Sequence, residues 1–164
     1  MDGVLVDSMP YHYISWYETL RPLGVQASAF DIYEREGEVW HKTLKDLLKR
    51  AGIKPNRKLL METVRKKYKL FRRYFKRHIF KGADEFIFCL KKKGYRLGLV
   101  TGTPLPEVKK ILPKKMFFAF DAVVTGDIVR KGKPHPEPYM KASAFLGVRP
   151  QDCAVIENAQ LGIR

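Results

Sequence analysis

From about Pro10 to Phe80, apolar residues recur every three or four positions, the spacing of helices that bury one face. Tyr13, Trp16, Tyr17 and Leu20 share such a face, and Gly24 ends the segment. Ser28 followed three residues later by Asp31 is a capping-box pattern, predicting a second helix that stops at Gly37. Leu44, Leu47, Leu48 and Ala51 mark a third, closed by Gly52. A fourth, from about Lys58 to Ile79, is read from Leu60, Val64, Phe71 and Phe75, with Tyr68 and Ile79 extending the stripe.

After Gly82 the pattern changes to helices alternating with short apolar runs. Helices are expected over Asp84–Lys93, Pro104–Leu112 and Pro136–Leu146, with Gly94 and Gly147 as C-terminal stops. Between and after them, Arg96–Val100, Ala122–Val124 and Ala154–Ile156 read as strands. Alternation at this pitch predicts an α/β fold with a parallel sheet and crossover helices. A helical insert of about seventy residues thus separates a short N-terminal stretch from an α/β body.

Composition changes this picture little. The 164 residues are 45% hydrophobic, enough for a globular core. No apolar run approaches the roughly 18 residues of a membrane helix, and the first residues lack the layout of a signal peptide. Cys89 and Cys153 have no metal or redox spacing, so a reducing cytoplasm is expected. The charge of +15 comes from 32 Lys and Arg against 17 Asp and Glu, much of it between Arg57 and Lys81. Aromatic residues interleave there, as in nucleic-acid binders. Because those aromatics fall at helical spacing, we assign them to a buried face and the basic residues, Lys67 among them, to a solvated one.

Four stretches place chemistry-bearing residues at turns or strand ends, where ligands of open α/β sheets bind. The first is Met1-Asp2-Gly3-Val4-Leu5-Val6-Asp7-Ser8. The second, Leu99-Val100-Thr101-Gly102-Thr103, presents a hydroxyl and a glycine turn ahead of a helix, an arrangement suited to an anion. In the third, Lys131-Gly132-Lys133-Pro134-His135-Pro136-Glu137-Pro138-Tyr139, prolines stiffen the loop that carries Lys133. The fourth, Ala154-Val155-Ile156-Glu157-Asn158-Ala159-Gln160-Leu161-Gly162-Ile163, ends a strand on a carboxylate and an amide. Singly, each has an ordinary structural reading.

In this order, the four stretches resemble the motifs of the haloacid dehalogenase superfamily, in its β-phosphoglucomutase-like branch with a helical cap. The resemblance spans essentially the whole chain. It implies a doubly wound, Rossmann-like parallel sheet, with residues 1–9 opening the core, 10–81 forming the cap and 82–164 completing the α/β core. The family's first motif is Asp-x-Asp-Gly, and its nucleophilic first aspartate would fall immediately before Met1. Asp2 would be the acid/base, and its backbone carbonyl a metal ligand. Thr101 would bind the transferring phosphoryl group and Lys133 would offset its charge, with Gly102 and Thr103 beside the substrate. Glu157 and Asn158 would hold Mg²⁺, Asn158 standing where the family usually has a second acid. His12 and Trp16 would line the mouth of the pocket.

The resemblance further implies that the central first strand is missing from this chain and that a strand and helix follow Arg164. The chain is therefore expected to be a fragment or to begin at an internal methionine, with an Asp codon just upstream, and to be inactive as it stands. The implied reaction is Mg²⁺-dependent hydrolysis of a small phosphate monoester through an aspartyl-phosphate. One alternative is a β-phosphoglucomutase-type mutase. That branch has a cap arginine shortly after a glycine, whereas Gly37-Glu38-Val39-Trp40 has none and Arg35 precedes it. The other is a non-catalytic basic module that grips nucleic acid through Arg57–Lys81. The expected partner is a small phosphorylated metabolite, with no membrane, nucleic acid disfavoured, and the protein a monomer.

Overall fold

The computed structural model describes residues 1–163; Arg164, the last residue of the expected body, lies outside them. Four helices come first: α1 (Met9–Leu20), α2 (Ala29–Tyr33), α3 (Trp40–Arg50) and α4 (Arg57–Tyr74). There follow α5 (Ala83–Lys92), β1 (Gly98–Val100), α6 (Leu105–Ile111), α7 (Lys114–Phe117), β2 (Ala122–Val124), α8 (Glu137–Leu146) and α9 (Gln160–Ile163). Short 3₁₀ turns follow α1 and α8. No helix among the described residues is long and apolar enough to cross a membrane.

Local chemistry sets most helix ends. Ser28 Oγ accepts from the Asp31 N–H (3.1 Å) and Asp31 Oδ2 accepts from the Ser28 N–H (2.9 Å), completing the capping box that starts α2. Asn56 caps α4 by accepting from the Leu59 N–H. Beyond α4 the expectation fails. The helix stops at Tyr74, and Phe75 turns to extended backbone. Residues 78–80 instead pair with the first motif: His78 C=O accepts from the Asp7 N–H (2.9 Å), and Leu5 C=O from the Phe80 N–H (3.1 Å). Ile79 keeps helical spacing in the sequence, but its backbone belongs to a bridge with Val6.

Two apolar clusters organise the molecule. Trp16, Leu20, Leu44, Leu47, Leu48 and Leu60 are among the buried residues of the first, drawn from the helical segment. The second joins Val6, Leu99, Val108, Ile111 and Leu112 to Phe71. Helix α4 therefore contributes to both, Leu60 to one and Phe71 to the other, and also packs along α1.

The strands β1 and β2 pair in parallel, with Leu99 opposite Val123, and α8 packs against both. Gly98 leaves room for Leu146 and Ala142 of that helix. Parallel pairing joined by helices is the expected α/β arrangement, in a small sheet. The third expected strand, Ala154–Ile156, is not one: it has no ladder partner, and Val155 and Ile156 are 56% and 61% exposed. A strand exists only where a neighbour accepts its hydrogen bonds, and among the described residues the sheet contains β1 and β2 alone.

Candidate active site

The first motif forms a tight turn whose backbone N–H groups at Leu5 and Val6 converge on the Met1 carbonyl. The turn aims the Asp2 carboxylate at the loop after β1. Thr103 Oγ1 donates to Asp2 Oδ2 (3.1 Å) and Thr101 Oγ1 donates to the same oxygen (3.3 Å). Ser8 Oγ donates to Asp2 Oδ1, and His12 Nε2 approaches that oxygen to 3.4 Å without completing a hydrogen bond. Burial alone would favour the protonated acid. The His12 ring, the Met1 ammonium and the Ser8 hydroxyl outweigh it and hold the Asp2 carboxyl well below the usual range.

Behind His12 stands Lys67, and the structure corrects its assignment to the solvated face: it is 2% exposed. Its Nζ lies 2.8 Å from His12 Nδ1 and 4.2 Å from the centre of the Tyr68 ring, with Phe71 and Trp16 beyond. With no carboxylate bonded to it, burial pushes the Lys67 ammonium down to about 7. Burial and the neighbouring Lys67 likewise lower His12, whose ring stacks on Phe71.

The loop after β2 brings Lys133 to Glu157. Lys133 Nζ and Tyr139 Oη both donate to Glu157 Oε2, while Glu157 Oε1 accepts from the N–H groups of Asn158 and Ala159 (3.0 Å each). Burial opposes the charge on Glu157, but Lys133 and these donors hold its carboxyl down. Asn158 Nδ2 donates to Glu36 Oε2 (3.0 Å), and Glu36 Oε1 is buried with no partner. Burial pushes the Glu36 carboxyl up to about 7.

Residues 36–39 lie directly on these loops. A Cβ at Gly102 would sit 2.6 Å from the Gly37 carbonyl oxygen and 2.7 Å from that of Glu38. Between the loops and the helical segment lies a cavity of about 70 Å³, lined by Asp2, His12, Trp16, Gly102 and Thr103 together with Lys67 and Trp40. Thr101 and Lys133 line an adjoining cleft beside Val39.

The model for haloacid dehalogenase-like hydrolases matches residues 1–164. The chain belongs to that family. It is 28% identical over 171 aligned positions to a β-phosphoglucomutase of Bacillus subtilis (strain 168), covering 99% of this chain and 74% of the relative. It is 29% identical to a phosphorylated carbohydrates phosphatase of Thermotoga maritima, covering 99% and 76%. A solved β-phosphoglucomutase-like structure from Bacteroides vulgatus superposes with a TM-score of 0.88 at 32% identity, covering 99% of this chain and 67% of that one.

As a member of this family, the chain brings all nine expected site residues into one region, in two groups. Asp2, Thr101, Gly102, Thr103, His12 and Trp16 surround the cavity and its adjoining cleft, and Lys133, Glu157 and Asn158 form a second cluster. Glu36 ties the second to the helical segment. Sequence reasoning missed Ser8, Glu36 and Lys67. For Lys67 a signal existed: it shares the spacing of Leu60, Val64 and Phe71 on the buried face of α4.

Magnesium wants hard oxygen donors. No group of three or more His, Cys, Asp or Glu side chains at metal-holding distance occurs among the described residues. The donor set still suits such an ion once Glu36 is counted, because its orphaned Oε1 is a buried carboxylate oxygen beside Asn158, where the family's usual second acid is absent.

Proposed function

We propose that this site carries out phosphoryl transfer from a small phosphomonoester to water through an aspartyl-phosphate. The observation that carries the reading is the Asp2 carboxylate, which accepts from Ser8 on one oxygen, with His12 3.4 Å away, and is met on the other by two threonine hydroxyls at a strand end. In the family's pattern the nucleophile is a carboxylate two positions ahead of the residue that Asp2 matches. That carboxylate attacks phosphorus and the P–O bond to the alcohol breaks. Asp2 gives the departing oxygen its proton, then takes one from the water that splits the acyl phosphate, releasing inorganic phosphate and restoring the carboxylate.

Its surroundings keep Asp2 ionised, so it is free to accept a proton in the second half. For the first, the negative charge of the incoming phosphate favours its protonation. The Thr101 hydroxyl and the Lys133 ammonium stabilise the phosphoryl oxygens. The residues that would hold magnesium are Glu157, Asn158 and the Asp2 carbonyl, joined by Glu36. Once bound, the ion supplies positive charge that lets phosphate and carboxylate oxygens approach. Residues 10–81 act as a cap that shields the reaction from water, the role that residues 36–39 suggest by lying on the phosphate loops.

Hydrolysis is favoured over mutase chemistry because Glu38 and Trp40, and no cation, follow Gly37 on this stretch of the cavity wall. A substrate drawn from phosphorylated carbohydrates accords with the name of the Thermotoga relative. The nucleic-acid alternative loses its stacking platform, since Phe71 is buried and Phe75 packs against the second core.

The test compares this chain with a version extended at its N-terminus by a short apolar segment ending in Asp, assayed on p-nitrophenyl phosphate with Mg²⁺. We expect turnover only in the extended protein, and a loss of about 10²- to 10⁴-fold on Asp2→Asn. Phosphatase-level turnover by the 164-residue chain itself would show that the first motif is misplaced.

A further inference from the structure

Helix α4 carries a charge pattern that the cavity does not use. No acidic residue lies between Glu62 and Asp84, and the exposed positions from Arg65 to Arg73 are all basic: Arg65, Lys66, Lys69, Arg72 and Arg73. Lys69 has Arg65 four positions before it and Arg73 four after, so like charges face one another along the helix, which destabilises it. On α3, by contrast, Lys42 meets Glu38 at 2.6 Å and Arg50 meets Asp31 at 2.5 Å. A second acid-free stretch runs between Glu107 and Asp121, with Lys109, Lys110, Lys114 and Lys115 exposed. Arg72 Nε donates to Glu107 Oε1 (3.1 Å), and Arg77 donates to the carbonyl oxygens of Ile111 (2.8 Å) and Lys110 (2.6 Å). These bonds join the two stretches into one basic surface, and Glu107, in its seam, is buried. Held this close, uncompensated like charge works against the compact state.

We infer that this surface binds the phosphate backbone of a nucleic-acid duplex, as an activity separate from the cavity and independent of the phosphomonoester reading. From Arg65 to Arg73 the helix rises about 12 Å, a length along which a duplex carries about seven phosphate charges. Pairing with them relieves the repulsion on α4 and releases the counterions of the duplex. The pattern that costs stability in the free chain therefore favours the complex. Backbone rather than base is the target. Phe71 is buried and Phe75 packs against the second core, so α4 presents charge without the aromatic platform that single strands use. An anionic bilayer would call for large apolar side chains among the basic ones, and the exposed positions from Arg65 to Arg73 hold none.

Fluorescence anisotropy of a short labelled DNA duplex reads the binding, with the matching single strand and phosphatidylserine-containing vesicles as competitors. Phe118, exposed just beyond Lys115, makes the vesicles a necessary arm. We expect log affinity to fall with log salt at a slope of about −4 or steeper, as for roughly five phosphates neutralised. Saturating inorganic phosphate at fixed ionic strength should leave the duplex bound, since the cavity is not the site. Lys69→Glu, Lys76→Glu and Lys114→Glu together should lower affinity by about tenfold or more and flatten the slope by about three. Lys69→Glu sets an acid between Arg65 and Arg73, so α4 gains ion pairs, and melting followed by circular dichroism should show this variant folded. Lys45→Glu, Lys49→Glu and Lys54→Glu, an equal change of charge on and beside α3, should cost less than about threefold at physiological salt. Equal losses in the two variants would reduce the effect to net charge and overturn the inference. So would displacement by inorganic phosphate, a single strand or vesicles that compete better than unlabelled duplex, or no binding at physiological salt up to about 10⁻⁴ M protein.

Discussion

Two buried lysines serve this site from different halves of the chain, and their surroundings differ in kind. Lys133, on a loop of the α/β body, meets the Glu157 carboxylate, which four donors hold in place. Lys67, on α4, meets the imidazole of His12 and three aromatic rings. Opposite charge stabilises the first, while the second has only a neutral acceptor and ring faces to set against the loss of water. A buried ammonium beside a carboxylate has a partner that offsets the loss of water. One without is maintained at the expense of stability.

The comparison can be broken most sharply from the carboxylate side. Glu157→Ala leaves Lys133 buried without a partner and should lower the unfolding free energy by about 3–5 kcal/mol in urea titrations. A loss near zero would mean that the pair contributes nothing and that the two lysines are alike. Lys67→Met should act in the opposite direction, raising stability by about 1–2 kcal/mol while filling the same space between the rings. Destabilisation by this change would place Lys67 with Lys133.

The contrast extends to pH. Between about 7 and the ordinary lysine value of 10.5, the unfolded chain binds a proton at Lys67 that the folded chain does not. Stability due to this group therefore rises with pH across that window and is least below it. Urea midpoints at pH 7, 8.5 and 10 should show a rise in the unaltered chain that is flatter in Lys67→Met. Equal slopes would refute the lowered value. Least affected should be Arg149→Ala, which removes a solvent-exposed pair with Asp152 and should shift stability by less than about 0.5 kcal/mol.

What could be read from the sequence follows from how local each cause is. The capping box at Ser28 and Asp31, and the glycine stops at Gly24, Gly52, Gly94 and Gly147, depend on a few neighbouring residues, and they stand where expected. The motif residues converge because each lies at a turn or loop whose place in the fold the resemblance supplies. The misreadings share a distant cause. Ile79 continues a helical pattern but pairs with Val6, some seventy positions away, and Ala154–Ile156 has strand-like residues without a strand beside it. Glu36 lies in an aperiodic segment, so nothing near it in the sequence points to Asn158. Lys67 differs again, since its position on the apolar face of α4 was legible and only its residue type concealed it.

The approach of residues 36–39 to the loop after β1 also governs how this sequence can drift. Gly24 and Gly52 face open space, and only their left-handed backbone, at φ +73° in each, restrains replacement. Gly102 is restrained by its surroundings instead: the first carbon of any side chain would meet two carbonyl oxygens of the opposing segment at 2.6 and 2.7 Å. An alanine there leaves every charged group of the site in place, yet the two segments must separate to admit it. The close approach of the two segments thus depends on the absence of one methyl group, and the mutation that parts them is the smallest that glycine can undergo.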